Sequence, residues 1–131
     1  MRVHDIFPRQ WISGQFMTGP TLTKLVKLET AIVHPRVGVE ERVYILRLEV
    51  LDSAGQPRTL PGHERTESGY GLILTRRLAE QIAAAVGTDV IDDWPGKLVV
   101  LEPATLAGKR VLIARAPKRP IGPAQADAPA D

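Results

Sequence analysis

The chain has 131 residues, with 17 lysines and arginines against 15 acidic residues and no cysteine. This length is typical of one domain, and the absence of cysteine excludes a disulfide framework and any thiolate metal or redox site. The first residues include Asp5 and Arg9 instead of an apolar signal segment, and no apolar run approaches the ~18 residues of a membrane span. We therefore expect a cytoplasmic protein without membrane association, whose net charge of +2 permits an anionic partner without requiring one.

Two long β-strands are predicted in the first half of the chain. Residues 1–20 form an arm with an apolar cluster around Trp11, which we expect to pack on the domain. Thr21–Val33 alternates apolar and polar side chains, as a half-buried strand does, but the phase breaks before Leu25, which suggests a bulge. After a turn at 34–38, Val39–Leu51 alternates again and places on one face Tyr44, Leu46, Leu48 and Val50.

The second half of the chain predicts a strand, a helix and two more strands. A turn and a long, mobile loop occupy residues 52–69, and Tyr70–Leu74 forms the third strand. Thr75 is suited to cap a helix over Arg76–Val86, which Gly87 would end in a left-handed conformation. The last two strands are Lys97–Leu101 and Arg110–Arg115. Residues 117–131 are rich in Pro and Ala and predict a disordered tail.

This order of elements predicts a mainly β fold. Three strands, a helix and two strands is the order of the five-stranded OB-type barrel, in which the helix lies between strands 3 and 4. We therefore expect one OB-like barrel over residues 21–116, although other five-stranded meanders with a helix share the same order.

A set of short motifs resembles a family of small, largely uncharacterised proteins of phage and prophage gene sets. The motifs are Phe7-Pro8 with Trp11-Ile12, the DDWPGK block at 92–97, Leu101 with Pro103, and the GKRV block at 108–111. The resemblance implies an OB-like fold and a link to phage DNA metabolism, without an established activity. This chain departs from the pattern in its longer 52–69 loop and at Glu102, where an aromatic residue is expected.

Barrels of this type bind single strands through a basic groove in which lysine and arginine meet phosphates and aromatic rings stack on bases. We expect Tyr70, between two glycines, to display its ring, and Tyr44 to lie in the core. The predicted nucleic-acid-binding residues are Lys27, Arg36, Arg42, Arg47, Tyr70, Lys109 and Arg110. This assignment requires that the strands close into one sheet whose outside carries the cations.

The predicted function is therefore non-catalytic, sequence-nonspecific binding of single-stranded nucleic acid, with single-stranded DNA as the first partner to consider. The alternatives are a solvated barrel exterior without a ligand, since glutamates interrupt the basic residues, and a module that docks a phage or host replication or recombination protein. We expect no cofactor and no metal, because the histidines are far apart and Asp89, Asp92 and Asp93 suit turn capping. We expect Val43 and Ile45 to be exposed, which would suit pairing of copies through an edge strand.

Overall fold

The computed structural model of the chain describes residues 8–15 and 17–117, so most of the predicted tail lies outside the described residues. The described part forms one antiparallel sheet in the order β3-β4-β2-β1-β5-β6, with one helix, α1, between β4 and β5. The elements are β1 (Thr21–Arg36), β2 (Val39–Leu51), β3 (Arg65–Thr66), β4 (Gly69–Leu74), α1 (Arg76–Val86), β5 (Leu98–Leu106) and β6 (Lys109–Arg115). The mainly β fold with one helix is confirmed.

The sheet differs from the prediction in two respects. It has six strands rather than five, because β3 forms inside the predicted 52–69 loop and pairs with β4. It is also not closed, since β4 and β6 are not paired with each other within the described residues. A closed five-stranded barrel is therefore not confirmed.

The hairpin of β1 and β2 is the longest feature of the sheet. Its two strands pair from Leu22 opposite Leu51 to Arg36 opposite Val39, and the register shifts between Leu25 and Lys27. This irregularity confirms the predicted break in the alternation. The extra residue changes the inward-facing positions of β1 from odd-numbered residues, such as Leu25, to even-numbered ones, such as Leu28. The turn is tighter than predicted, since β1 continues through His34-Pro35 to Arg36.

Helix α1 has the predicted bounds and caps. The Thr75 hydroxyl accepts a hydrogen bond from the Leu78 amide at 3.3 Å, which satisfies one free donor of the first turn. Gly87 ends the helix at φ +83°, a conformation that costs glycine little. The helix buries Leu78 and Ile82 in the core. No helix in the described ranges is long and apolar enough to cross a membrane.

The core lies on the inner face of the sheet, beneath α1. Leu46, Leu48 and Val50 alternate along β2 and are all at most 1% exposed, as the period of two requires. Trp94 completes the core at 2% exposure, and its indole nitrogen donates a hydrogen bond to the Thr88 carbonyl at 2.9 Å.

β5 is longer than predicted and includes Pro103. β1 begins at Thr21, which lies opposite Leu101, so among the described residues no strand pairs with that side of β5 beyond Leu101. Proline is tolerated in such a position because its missing N–H removes no ladder bond. The remaining side of β5 pairs with β6 as far as Leu106 opposite Lys109.

The N-terminal arm spans the seam between β4 and β6 (residues 11–14 against both strands). The Ile12 amide donates a hydrogen bond to the Gly71 carbonyl of β4 at 2.9 Å. Gly14 lies against the backbone of Val111 in β6, so closely that a Cβ there would meet the Val111 carbonyl carbon at 2.4 Å. The arm thus lies where a closed barrel would pair its two edge strands.

Candidate nucleic-acid interface

The seven predicted binding residues do not form one cluster. Arg36 ends β1, whereas Lys109 begins β6 next to the far end of β5. Because β5 runs antiparallel to β1 and pairs only with Thr21–Lys24, these two cations lie at opposite ends of β1. At ~3.3 Å per residue, the sixteen residues of β1 separate them by a path on the order of 50 Å along the strand. The requirement for one closed, uniformly cationic exterior is not met.

Two of the predicted cations, Lys27 and Arg47, belong to a cross-strand ion-pair cluster. The Arg47 Nε donates to Glu29 Oε1 at 2.6 Å, and Lys27 Nζ lies 3.6 Å from Glu29 Oε2. The side chain of Arg47 is only 13% exposed, and its guanidinium lies 5.8 Å from the centre of the Trp11 ring. Hydrogen bonding from Arg47 lowers the pKa of Glu29, with a smaller contribution from Lys27. Arg47 therefore has little capacity left for a phosphate.

Arg110 also has a structural role. Its Nε donates to the Gly14 carbonyl at 2.8 Å and its Nη2 to the Met17 carbonyl at 3.0 Å, which fastens the N-terminal arm to β6. These contacts engage two donors with neutral acceptors and leave the positive charge of the guanidinium without a carboxylate partner among the described residues.

The sequence predicts an exposed Tyr70 and a buried Tyr44, and the structure shows the reverse. Tyr70 is 1% exposed, because it lies opposite Leu48 in the middle of the sheet and its hydroxyl accepts a hydrogen bond from the Leu60 amide at 2.8 Å. The prediction that its ring stacks on a base is wrong. Tyr44 is 56% exposed, so its assignment to the core is also wrong. Tyr44 shares its face with Leu46 but lies opposite the last residue of β4, where the cover of the sheet ends.

Tyr44 lines a groove between the hairpin and the start of α1, which we call the Tyr44 groove. It has a volume of about 540 Å³. Its wall is mainly apolar, Arg76 is its cation, and no carboxylate lines it among the described residues. The lining residues are Leu28, Tyr44, Leu74, Thr75, Arg76, Ala79 and Ile91. Sequence reasoning missed this groove because its parts come from four separate segments of the chain.

Arg76 and Arg42 are the cations nearest to this groove by position. Arg76 is 91% exposed, and its contact with Glu80 is long at 3.9 Å, so solvent screens it. Arg42 lies two residues before Tyr44 on β2 and therefore on the same face of the hairpin. It is exposed, and no ion pair of Arg42 occurs within the described residues.

The predicted edge residues and the long loop also require correction. Ile45 is fully buried between Glu29 of β1 and Ile73 of β4, so it cannot serve as an exposed pairing residue. The 52–69 segment is fastened to the sheet and the arm at several points, among them the salt bridge of Arg65 with Glu49 and the hydrogen bond from the Arg9 amide to the Gly62 carbonyl.

Comparisons with known proteins add no family to this geometry. No protein-family model, no curated protein and no solved structure matches the chain.

Proposed function

We propose that this protein is a non-catalytic module that binds single-stranded nucleic acid without sequence preference, through the Tyr44 groove. The strand order and the helix between β4 and β5 favour an OB-type barrel whose seam is filled by the N-terminal arm. The phage-type pattern around residues 92–111 agrees with such a role. The observation that carries the proposal is a half-exposed aromatic ring beside a largely exposed arginine, Arg76, in the same groove.

Stacking on Tyr44 would supply the apolar part of the interaction. A base that stacks on an aromatic side chain contributes about 1–3 kcal/mol, whatever its identity, because every base has a π-face. Leu28 and Leu74 flank the ring within the same groove and would cover the edge of the bound base. One aromatic ring provides one stacking position, so we expect weak binding.

Phosphates would meet the exposed cations on either side of the ring. Arg76 lies in the groove and Arg42 precedes Tyr44 on the same face, while Arg36 lies further along the hairpin. α1 begins at Arg76 and carries no acidic residue in its first turn, so the helix end does not repel an anion. Of the residues predicted from the sequence, Arg36 and Arg42 remain assigned to the interface.

The proposal is tested by fluorescence anisotropy with a labelled oligo-dT strand at about 50 mM salt, a concentration at which phosphate contacts are strong. We expect Tyr44→Ala to weaken binding by about 5-fold to 150-fold, the equivalent of one lost stack. Arg76→Gln should also weaken binding and should reduce the dependence of log K on log salt by about 0.7, the value for one phosphate contact to a single strand.

Matched control variants show whether a loss of binding comes from the Tyr44 groove or from removal of any exposed apolar or charged side chain. Val37→Ala removes a fully exposed apolar side chain at the hairpin turn, and Lys97→Gln removes an exposed cation before β5. Both variants should bind like the wild type, apart from a small effect of net charge. Absence of binding by the wild type, or equal losses in the four variants, would contradict the proposal.

A second candidate is a protein-interaction module, favoured by the uncovered edges of the hairpin. β5 pairs with β1 only as far as Lys24, and β4 pairs with β2 only from Tyr44 onward. In the described part of the chain, the outer half of the hairpin (residues 29–36 and 39–44) therefore has no strand paired with its edges beyond Tyr44, and a partner strand would add there. Ile32 contributes an exposed apolar side chain at 53%. This function would use the same face of the hairpin without phosphates.

The two candidates are distinguished by affinity capture from a nuclease-treated lysate, followed by mass spectrometry. A specific protein retained by the wild type and by Arg76→Gln, but lost with Ile32→Asp, would favour protein docking. If proteins are captured from an untreated lysate but none from the nuclease-treated lysate, nucleic acid is the favoured partner.

A further inference from the structure

A second concavity lies at the seam, on the other side of Thr75 from the Tyr44 groove. We call it the seam cleft; it is bounded by the arm at 11–14, the start of α1 and the first residues of β6, and it has a volume of about 360 Å³. This volume is within the range of small-molecule sites. Its wall combines apolar side chains from β4 and β6 with polar groups from Ser13, Arg77 and Arg110.

The charge of the seam cleft is uncompensated. Arg77 and Arg110 both line it, and none of the described residues around it is acidic. The hydrogen bonds that Arg110 donates to Gly14 and Met17 go to carbonyl oxygens, which do not neutralise its charge. Two guanidinium groups beside an apolar wall, without a carboxylate, attract an anion more strongly than the same groups in water do.

Two polar atoms of the cleft residues also lack partners. Nη1 of Arg77 and Oγ of Ser13 are buried from solvent, and neither makes a hydrogen bond within residues 8–15 and 17–117. A buried polar group without a partner costs about 1–3 kcal/mol, and native proteins keep few of them without a bound ion, a water or a functional reason. Both atoms are buried as the side chains stand, so a ligand in the cleft would reach them only after Arg77 and Ser13 change rotamer. The guanidinium and hydroxyl donors then have the chemistry of a site for an oxyanion.

We propose that the seam cleft binds a small organic molecule through one oxyanionic group, a phosphate or a carboxylate. Arg77 donates a charge-assisted hydrogen bond to the oxyanion, Ser13 donates a neutral one, and Arg110 contributes a positive charge held in place by the arm. The apolar wall, which includes Leu72 and Leu112, contacts the remainder of the molecule. The site is independent of the Tyr44 groove, and its failure would leave the proposed function untouched.

The test uses isothermal titration calorimetry and thermal unfolding of the full chain with three probes. Phenyl phosphate and benzoate carry the two kinds of oxyanion on the same ring, and benzamide is the neutral counterpart of benzoate. We expect at least one oxyanion to bind and to raise the Tm, and benzamide to do neither. Whichever of phenyl phosphate and benzoate binds more tightly shows whether the site prefers a phosphate or a carboxylate. Binding of all three probes alike, or of none, would overturn the proposal.

Variants connect the binding to the named residues. Arg77→Met should reduce affinity by at least about tenfold, as loss of a charge-assisted hydrogen bond requires, and Ser13→Ala should reduce it by a few-fold. Arg76→Met is the matched control, because the neighbouring arginine lines the other groove, and its affinity should equal that of the wild type. If Arg77→Met does not fold, the probe affinities of Ser13→Ala and Arg77→Lys test whether Ser13 and Arg77 bind the oxyanion. Unchanged affinity in the folded variants would contradict the site.

Discussion

The β1–β2 hairpin has an inner half, residues 21–28 and 45–51, and an outer half, residues 29–36 and 39–44. The two halves share an alternating pattern but have different surroundings. In the inner half, β4 and β5 flank the two strands, and Leu25, Leu46 and Leu48 are at most 1% exposed. In the outer half the alternation continues, yet Ile32 and Tyr44 are more than half exposed because no strand or helix covers them fully. An apolar period of two thus identifies a face of a sheet, and the neighbouring elements decide how much of that face is buried.

The largest expected effect is the difference between one apolar truncation in each half. Leu46→Ala removes a core side chain and should lower the free energy of unfolding by about 2–5 kcal/mol, through lost burial and the cavity that remains. Ile32→Ala removes an exposed side chain and should change it by no more than about 0.5 kcal/mol. Urea denaturation of both variants measures the contrast. A large loss for Ile32→Ala would mean that the outer half is covered in solution, by a second copy for example.

Local chemistry explains why much of the fold is predictable from the sequence. The alternation in β1 and β2, the threonine at 75 and the glycine at 87 act within a few residues, so strand type, helix bounds and the bulge near Leu25 all follow from them. β3 could not be predicted in this way. It consists of two residues, and only its pairing with β4 makes it a strand.

The candidate site is much less predictable, because its residues depend on non-local register. Exposure of Tyr44 and burial of Tyr70 are set by where β4 ends along β2. The loss of Arg47 as a phosphate ligand depends on Glu29, eighteen residues away on the neighbouring strand. No spacing in the sequence reports either relation, whereas the exposure of Arg36 and Arg42, near the hairpin turn, is predictable from local position.

The next effect concerns the arm that fills the seam beside the inner half. Gly14→Ala would place a Cβ 2.4 Å from the Val111 carbonyl carbon, and because this neighbour is backbone, the arm must move. We expect a loss of about 1–3 kcal/mol in the free energy of unfolding, the usual cost of overpacking. Thermal or urea unfolding measures it.

A glycine in the same arm provides the control. Nothing lies within 4 Å of a Cβ at Gly19, so Gly19→Ala should leave stability unchanged or slightly raised, since alanine restricts the unfolded chain. Equal behaviour of the two variants would show that the contact of the arm with β6 does not contribute to stability.

The two tyrosines compare a covered and an exposed part of the sheet by removal of a single hydroxyl group. Tyr70→Phe deprives the Leu60 amide of its acceptor, and we expect a loss of about 0.5–1.5 kcal/mol, the net value of one hydrogen bond. Tyr44→Phe removes a hydroxyl from a half-exposed ring and should be close to neutral. If urea denaturation gave a larger loss of stability for Tyr44→Phe than for Tyr70→Phe, Tyr44 would lie in the core, and the groove would lack its stacking ring.

The smallest effect comes from the charged cluster of Glu29, which lies where the inner half meets the outer half. Arg47 lowers the pKa of Glu29, so the folded state holds the ionised carboxylate more firmly than the unfolded state does. The stabilisation is therefore fully present above the unfolded pKa near 4.5, and it is lost as the pH falls through the lower folded pKa. Glu29→Gln removes this dependence. Because the carboxylate is 36% exposed and screened, we expect the variant to lose only about 0.2–1 kcal/mol at pH 7.

Unfolding curves of wild type and Glu29→Gln should therefore differ at pH 7 and converge once the pH has fallen below the folded pKa of Glu29. Glu41→Gln is the matched control, since Glu41 lies in the outer half, is exposed and has no ion pair within the described residues. Its stability should follow that of the wild type at every pH. A difference for Glu29→Gln that persists at low pH would assign the effect to packing around Arg47 rather than to charge.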